Sequence, residues 1–466
     1  MEPRSLKYIA EATGGELCQG SPEAVVTRIC ADSRQAQPND LFFALAGERF
    51  DAHTFLPEVA RRGVAAVVAE RAKLPPDLQG CAVIVVDNTR AALGRLGARY
   101  RRDFTLPLIA VGGSNGKTTT KELIASVLRQ KRSVLWSEGS FNNEIGVPLT
   151  LLKLEHTHHA AVLEAGTNHP NELAPLLRMM VPHFGVITNI GREHLAFFGD
   201  LEGVAREEGA MAEVLPPAGV LFLNGDDAWS KTLAARCYCR VVRVGFGEGN
   251  DWVAREVRVD DNGSTFAVTC RQSDFEGDYH IKLLGRHQVT NALFALALGA
   301  ELGLDRAAIE HGLAICAPAK MRLQLEFPGG IRVLDDAYNA NADSMLAALQ
   351  TLCDLPCEGR RVAVLGDMAE LGESSQAAHA EVGRRAAEFH VDKLFTVGPQ
   401  AREIARAARC GGLQTVVEIP EVETAVHTVR KFARPGDVVL VKASRSMRLE
   451  RITEALRTNL GKGAGD

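Results

Sequence analysis

The stretch that most limits what this chain can fold into is Val111-Gly-Gly-Ser-Asn-Gly-Lys-Thr-Thr-Thr120. An apolar run at 106–111 leads into it, and a helix-patterned stretch at 121–129 follows. An apolar strand, a glycine-rich turn and a helix, in that order, make the phosphate-binding unit of an α/β sheet. The standard loop keeps four residues between its first glycine and its Gly-Lys pair. Here only Gly113, Ser114 and Asn115 separate Gly112 from Gly116, one residue short of that spacing. The physics survives the shortening. Backbone N–H groups freed by Gly112, Gly113 and Gly116 can cup a phosphate at the positive end of the following helix. Lys117 adds a point charge for the outer phosphates, and the Thr118 hydroxyl is a hard-oxygen donor suited to Mg²⁺. The stretch from Gly113 through Ser114, Asn115, Gly116, Lys117 and Thr118 to Thr119 is therefore expected to hold the phosphates of a nucleotide.

A chain of 466 residues exceeds what one hydrophobic core spans, and three blocks emerge. The first, 1–102, mixes short strands at 65–69 and 82–86 with helical stretches. The second, 103–317, alternates strands at 106–111, 159–163 and 184–188 with helices, and 251–280 alternates like an antiparallel excursion. The third, 318–466, carries strands at 361–365, 393–397 and 437–441 between Ala-rich helices such as 375–390, a βαβ rhythm. The expected fold is α/β in three domains. A smaller N-terminal α/β domain precedes a central P-loop-type, mostly parallel sheet flanked by helices, and a C-terminal Rossmann-like α/β domain follows. The net charge of −5, with no long Lys/Arg run, excludes a general nucleic-acid binder. The ten cysteines show no ligand spacing, so free thiols in a reducing cytoplasm are expected. No run of 18 apolar residues occurs, and membrane insertion is not expected.

The shortened loop with its three threonines resembles that of the Mur ligase family, ATP-dependent enzymes that form amide bonds. Further stretches carry the resemblance, from about residue 30 to about 455. They are Asp32-Ser-Arg34 followed by Leu41-Phe-Phe-Ala-Leu-Ala-Gly-Glu-Arg-Phe-Asp-Ala-His53, Ser140-Phe-Asn-Asn-Glu-Ile-Gly-Val-Pro148, and Gly285-Arg-His-Gln-Val-Thr-Asn-Ala292. Asp335-Asp-Ala-Tyr-Asn-Ala-Asn-Ala-Asp-Ser-Met345, Leu365-Gly-Asp-Met-Ala-Glu-Leu-Gly372 and Val441-Lys-Ala-Ser-Arg-Ser-Met447 complete the set. All of these but the first-domain stretch at 32–53 are similar to the branch that joins D-alanyl-D-alanine to UDP-N-acetylmuramoyl-tripeptide.

The resemblance implies two steps. The tripeptide's terminal carboxylate takes the γ-phosphoryl of ATP, and the dipeptide amine then displaces phosphate from the acyl phosphate. Every reacting group but the amine is anionic, so catalysis rests on positioning and charge neutralisation. Lys117, Glu164, His194 and Arg322 are implied to carry the chemistry. Mg²⁺ is implied at Thr118, Glu164, His194 and Glu208. Asn291, Arg322, Asp336, Tyr338 and Asn339 are implied nucleotide contacts. For the UDP substrate the family pattern offers Ser33, Arg34, Gly47, Arg49, Phe50, Asp51 and His53, with Asn143 and Glu144 nearby. Arg445 and Ser446 are candidates for the dipeptide. Glu208 is a departure, because many family members carry there a lysine whose carbamate anchors magnesium. A glutamate supplies the same charge from a shorter side chain. Ala443 stands where the family commonly has Gly, a departure that bears on the geometry of the loop around Arg445, because Ala tolerates positive φ poorly. The implied partners are these small molecules alone, and a cytoplasmic monomer is expected. Hinges are expected at 102–106 and 314–320. The alternatives are a sister ligase with another amine, a folylpolyglutamate synthetase, a P-loop switch, or an inactive binder of the UDP substrate.

Overall fold

Leu108–Gly112, five residues buried on both faces, runs through the interior of a nine-stranded sheet. The computed structural model, which describes residues 1–47 and 50–458, sets Ala160–Glu164 on one side of this strand and Phe184–Ile187 on the other, both parallel to it. Val134–Trp136 closes that edge. In the other direction Val220–Asn224, Arg240–Gly245 and Trp252–Asp260 continue in parallel. Gly263–Cys270 and Gly277–Ile281 then add the antiparallel excursion that the alternating pattern suggests. Continuous apolar runs suit the parallel part because helices cover both of its faces.

Register places the chemistry. Glu164 pairs with Val111, the last residue before the glycines, so a carboxylate ends its strand level with the loop's start. That is the carboxyl edge of the sheet, where open α/β folds gather ligand groups. The helix after the loop, Lys117–Leu128, begins earlier than the apolar pattern suggests. Threonine is a weak helix former, but Thr118, Thr119 and Thr120 are all buried, and packing outweighs propensity.

Before this sheet, Glu16–Gln19 pairs antiparallel with Ala82–Val86, and Ala66–Glu70, Leu41–Phe43 and Ile29–Cys30 follow in parallel. After it, a six-stranded sheet is parallel except for its edge strand Gln324–Glu326. We refer to the three sheets with their helices as the N-terminal, central and C-terminal units. One apolar core runs unbroken from Leu6 and Ile9 through Leu93, Leu96 and Tyr100 to Leu108, Leu163 and Leu177. It therefore spans the N-terminal and central units. The C-terminal sheet has its own cores on its two faces, and Leu284 reaches one of them from the central unit.

The segment expected to hinge at 102–106 is tied to its neighbours by hydrogen bonds. Arg101 donates from Nε to the Met180 carbonyl at 2.8 Å and from Nη1 to that of Phe104 at 2.7 Å. Phe104 is buried edge-on against Tyr100. All ten cysteines are free of disulfides. Among the described residues no helix is long and apolar enough to cross a membrane.

Candidate functional site

The phosphate loop is held from below by residues 188–191. The Ser114 N–H donates to the Asn189 carbonyl at 2.9 Å, and the Asn115 N–H to Asn189 Oδ1 at 3.1 Å. Thr188 Oγ1 donates to the Asn115 carbonyl at 2.6 Å. Gly113 has φ 103°, and a Cβ there would lie 2.3 Å from Thr188 Oγ1, so only glycine fits. Gly116 has φ 85°, and its Cβ would strike Asn291 Oδ1 at 2.6 Å.

These bonds correct the sequence expectation about which amides are free. Those of Gly113, Ser114 and Asn115 are already spent, the first on Glu208 Oε2 at 2.7 Å. The amides of Gly116, Lys117, Thr118 and Thr119 donate to no described residue. They are the orphan donors of a helix N-terminus, and an anion belongs there. The Lys117 ammonium folds back to the carbonyls of Gly113 (2.6 Å) and Ser114 (3.2 Å) and to Glu193 Oε2 (3.2 Å). Burial disfavours its charge, yet Glu193, Glu208 and Glu164 hold its pKa above the ordinary lysine value.

The four residues implied for Mg²⁺ are partly brought together. Thr118 Oγ1 donates to Glu164 Oε2 at 2.8 Å, while Glu164 Oε1 accepts from Asn142 Nδ2 at 2.9 Å. Glu208 reaches the loop from the opposite side. It is 1% exposed, and its Oε1 is buried with no hydrogen-bond partner. Burial pushes its carboxyl up to about 7, against the pull of Lys117. His194 turns instead to the C-terminal unit, its Nδ1 2.5 Å from Glu370 Oε2. Among the described residues no three His, Cys, Asp or Glu side chains converge as a ready metal cluster. The donors fit a hard divalent ion nonetheless: a hydroxyl, a carboxylate and one orphaned buried carboxylate oxygen surround an anion-binding loop.

Across the loop stands the start of the C-terminal unit. Asn341 caps the helix Ala342–Asp354 and donates from Nδ2 to Asn115 Oδ1 at 2.9 Å. The Tyr338 hydroxyl donates to Ser140 Oγ at 2.9 Å, and the Arg322 guanidinium lies over the Tyr338 ring at 4.3 Å. Asn291, on the central unit's helix Arg286–Glu301, accepts from Thr120 Oγ1 at 3.1 Å. Asp336 faces inward. Its Oδ1 accepts the Leu323 N–H at 3.1 Å and its Oδ2 the Lys442 ammonium at 2.6 Å. Lys442 also donates to the Asn339 carbonyl at 2.9 Å. The Asp336–Lys442 pair therefore anchors the stretch that carries Tyr338 and Asn339.

Several candidates for the UDP substrate also have structural work. The His53 ring is buried and fully engaged: Nδ1 donates to Asp51 Oδ1 at 2.6 Å, and Nε2 accepts the Glu70 N–H at 3.0 Å. Asp51 also meets Lys73 at 3.0 Å; these bonds outweigh burial and hold its pKa at about 2. The Gly47 N–H donates to the Phe50 carbonyl at 2.8 Å, and the Phe50 side chain is 79% exposed. Arg34 is open to solvent, forked onto Asp32 at 2.8 and 2.9 Å, and Ser33 starts the short 3₁₀ turn that Asp32 caps. Arg49 lies outside the described residues. Asn143 caps the turn into Gly146–Leu151, and Glu144 pairs with Arg90 of the N-terminal unit at 2.8 Å. Arg445 and Ser446 are exposed on a 3₁₀ turn, with Arg445 3.0 Å from Glu450. Ala443 is buried and absent from the left-handed backbone region, so it fits without strain.

Sequence reasoning missed Asn142, Glu193, Asp343, Glu370 and Lys442. Asn142, Asp343, Glu370 and Lys442 lie inside quoted stretches and Glu193 adjoins His194, but nothing local showed what each of them touches.

Comparison with known proteins covers nearly the whole chain. Residues 25–101 match the Mur ligase family, catalytic domain; residues 111–299 match the Mur ligase middle domain; residues 321–445 match the Mur ligase, glutamate ligase domain. The UDP-N-acetylmuramoyl-tripeptide–D-alanyl-D-alanine ligase of Bacillus subtilis (strain 168) is 36% identical over 460 residues, 98% of this chain and 99% of that one. A crystal structure of MurF from Acinetobacter baumannii superposes with a TM-score of 0.89 at 33% identity, covering 98% of this chain and 99% of that one. MurF ligase from Thermotoga maritima in complex with ADP gives a TM-score of 0.83 at 27% identity, covering 94% of this chain and 99% of that one.

Proposed function

We propose that this chain, which belongs to the Mur ligase family, joins D-alanyl-D-alanine to UDP-N-acetylmuramoyl-tripeptide at the expense of ATP. The observation that carries the reading is the phosphate loop: four unpaired helix amides and the Lys117 ammonium, with the Thr118–Glu164 pair beside them. Relatives matched along nearly their full length are named for this reaction, and a neighbouring structure holds ADP.

Lys117 leaves the Gly113 and Ser114 carbonyls and neutralises the β- and γ-phosphate oxygens of ATP. The amides of residues 116–119 grip the same tail. Tyr338 and Asn339, braced by the Asp336–Lys442 pair, close over the base. Arg322 presents a planar fork to the phosphates. Thr118, Glu164, Glu208 and His194 would hold Mg²⁺, which when bound would neutralise phosphate oxygens. With the tripeptide carboxylate aligned, its oxygen attacks the γ-phosphorus and ADP leaves. The dipeptide amine then attacks the acyl carbon, loses a proton, and expels phosphate. Ser33, Arg34, Gly47, Arg49, Phe50, Asp51 and His53 shape the UDP end, with Asn143 and Glu144 nearby. Arg445 and Ser446 serve the dipeptide carboxylate. The enzyme works as a cytoplasmic monomer.

The test is phosphate release from ATP in the purified protein. It should require both UDP-N-acetylmuramoyl-tripeptide and D-alanyl-D-alanine. Release with neither substrate, or with a different amine only, would overturn the reading.

A further inference from the structure

Three consecutive side chains after the loop's supporting strand point to three different partners. Arg192 crosses to the C-terminal unit: its backbone N–H donates to Asp343 Oδ2 at 2.7 Å, its Nε and Nη2 to Asp343 Oδ1 at 2.9 and 2.5 Å. Its remaining arm meets Glu381. Glu193 turns back to the Lys117 ammonium. His194 crosses again, to Glu370, and the Ala196 N–H donates to the Glu370 carbonyl at 3.0 Å.

Two further details mark this contact as built. Gly191 lets Asp343 approach: a Cβ there would lie 2.8 Å from Asp343 Oδ2. His194 and Glu370, the two sides of one hydrogen bond, both sit in the left-handed region, at φ 49° and 60°. Glutamate is uncommon there, so the Glu370 backbone is strained, and such strain persists only where surrounding contacts impose it.

We propose that Asp343 and Glu370 are positioning residues through which the seated C-terminal unit sets the phosphate loop. Together they grip the Arg192-Glu193-His194 segment on either side of the residue that holds Lys117. Glu370 holds the proton of His194 on Nδ1 and leaves Nε2 as the free lone pair, the arrangement by which a carboxylate orients a metal-binding imidazole. Asp343 fixes Arg192 and with it the reach of Glu193 to Lys117. When the unit lifts away, both grips go together and the segment relaxes. Nucleotide affinity at the loop is therefore coupled to closure, and by reciprocity nucleotide favours closure. This rests on the reading of the loop as an ATP site.

The test uses the full-length protein, with two readouts that need neither peptide substrate. In the first, ¹⁵N-histidine NMR of nucleotide-free protein reports the His194 tautomer, assigned with His194→Asn. The parent and Glu370→Gln should show the Nδ1–H form, because the glutamine carbonyl still accepts; Glu370→Ala should lose it. In the second, calorimetry with Mg²⁺–ADP should show Asp343→Ala and Glu370→Ala each weakening binding about tenfold. The double variant should be little worse than either single, since both act on one two-state element. An unchanged tautomer in Glu370→Ala, or unchanged ADP affinity in both alanine variants, overturns the proposal. Parent protein that bound no ADP at all would instead overturn the ATP-site reading.

Discussion

At the joint between the N-terminal and central units, Leu93, Leu96 and Tyr100 of one helix share an apolar core with Leu108, Leu151 and Leu177. At the joint between the central and C-terminal units, only Leu284 and Val259 among the described residues of the central unit reach the C-terminal apolar core. The polar contacts there include Arg192 with Asp343, His194 with Glu370, Tyr338 with Ser140 and Asn341 with Asn115. The first kind of joint gains from apolar area removed from water and loses that gain outright when parted. The second exchanges protein partners for water at small net cost, because its charged pairs are partly exposed. The difference predicts that the C-terminal unit, rather than the N-terminal one, is the unit that opens and closes over the phosphate loop.

The largest effect should come from the apolar joint. Leu96 is fully buried there, and Leu96→Ala should cost about 3 kcal/mol in urea unfolding. A loss below about 1 kcal/mol would mean the joint is looser than its core implies. Close behind comes a pH effect confined to the loop side. The Glu208 carboxyl is raised from 4.5 to about 7 in the folded chain. A raised pKa means the folded state favours the proton, so its contribution is full below pH ~4.5 and lost as pH climbs through about 7. Without nucleotide or metal, Glu208→Gln should match the parent at acid pH and exceed it by about 3 kcal/mol above pH 8. Mg²⁺–nucleotide should remove that advantage, since a neutral amide cannot replace the carboxylate. A pH-independent difference would contradict the assignment.

Arg34 is exposed on the N-terminal unit. Arg34→Ala should leave the Tm unmoved and raise the KM for the UDP substrate about tenfold, with the KM for ATP unchanged. A rise in both constants would show that the N-terminal unit is not an independent binding surface. Smallest of all, Tyr100→Phe removes a hydroxyl that accepts the Glu2 N–H and donates to the Leu154 carbonyl, each at 2.7 Å. About 1 kcal/mol should go, read as a lower urea midpoint at constant slope.

Much of this was legible in the sequence because it is local. Strands 82–86 and 393–397 match their apolar runs to the residue, and the antiparallel excursion follows its alternation. The loop announces itself through glycine, lysine and threonine spacing. What the sequence hides is partnership across the chain. Glu370 is 176 residues from His194, and Lys442 is 106 from Asp336. Both lie in stretches that carry the family resemblance, but nothing local in those stretches names the partner. The bond from Arg101 to the Met180 carbonyl beside the expected hinge at 102–106 is hidden for the same reason. The sequence shows the histidine chemistry of His53 but neither its burial nor its bonds to Asp51 and the Glu70 N–H.

The central claim is that Lys117 and the helix amides beside it grip the triphosphate of ATP. Lys117→Ala should keep the parent's Tm to within a few degrees, and its rate of joining the two peptides should fall about a thousandfold at saturating ATP. A variant that made the UDP-linked pentapeptide at the parent's rate would contradict it.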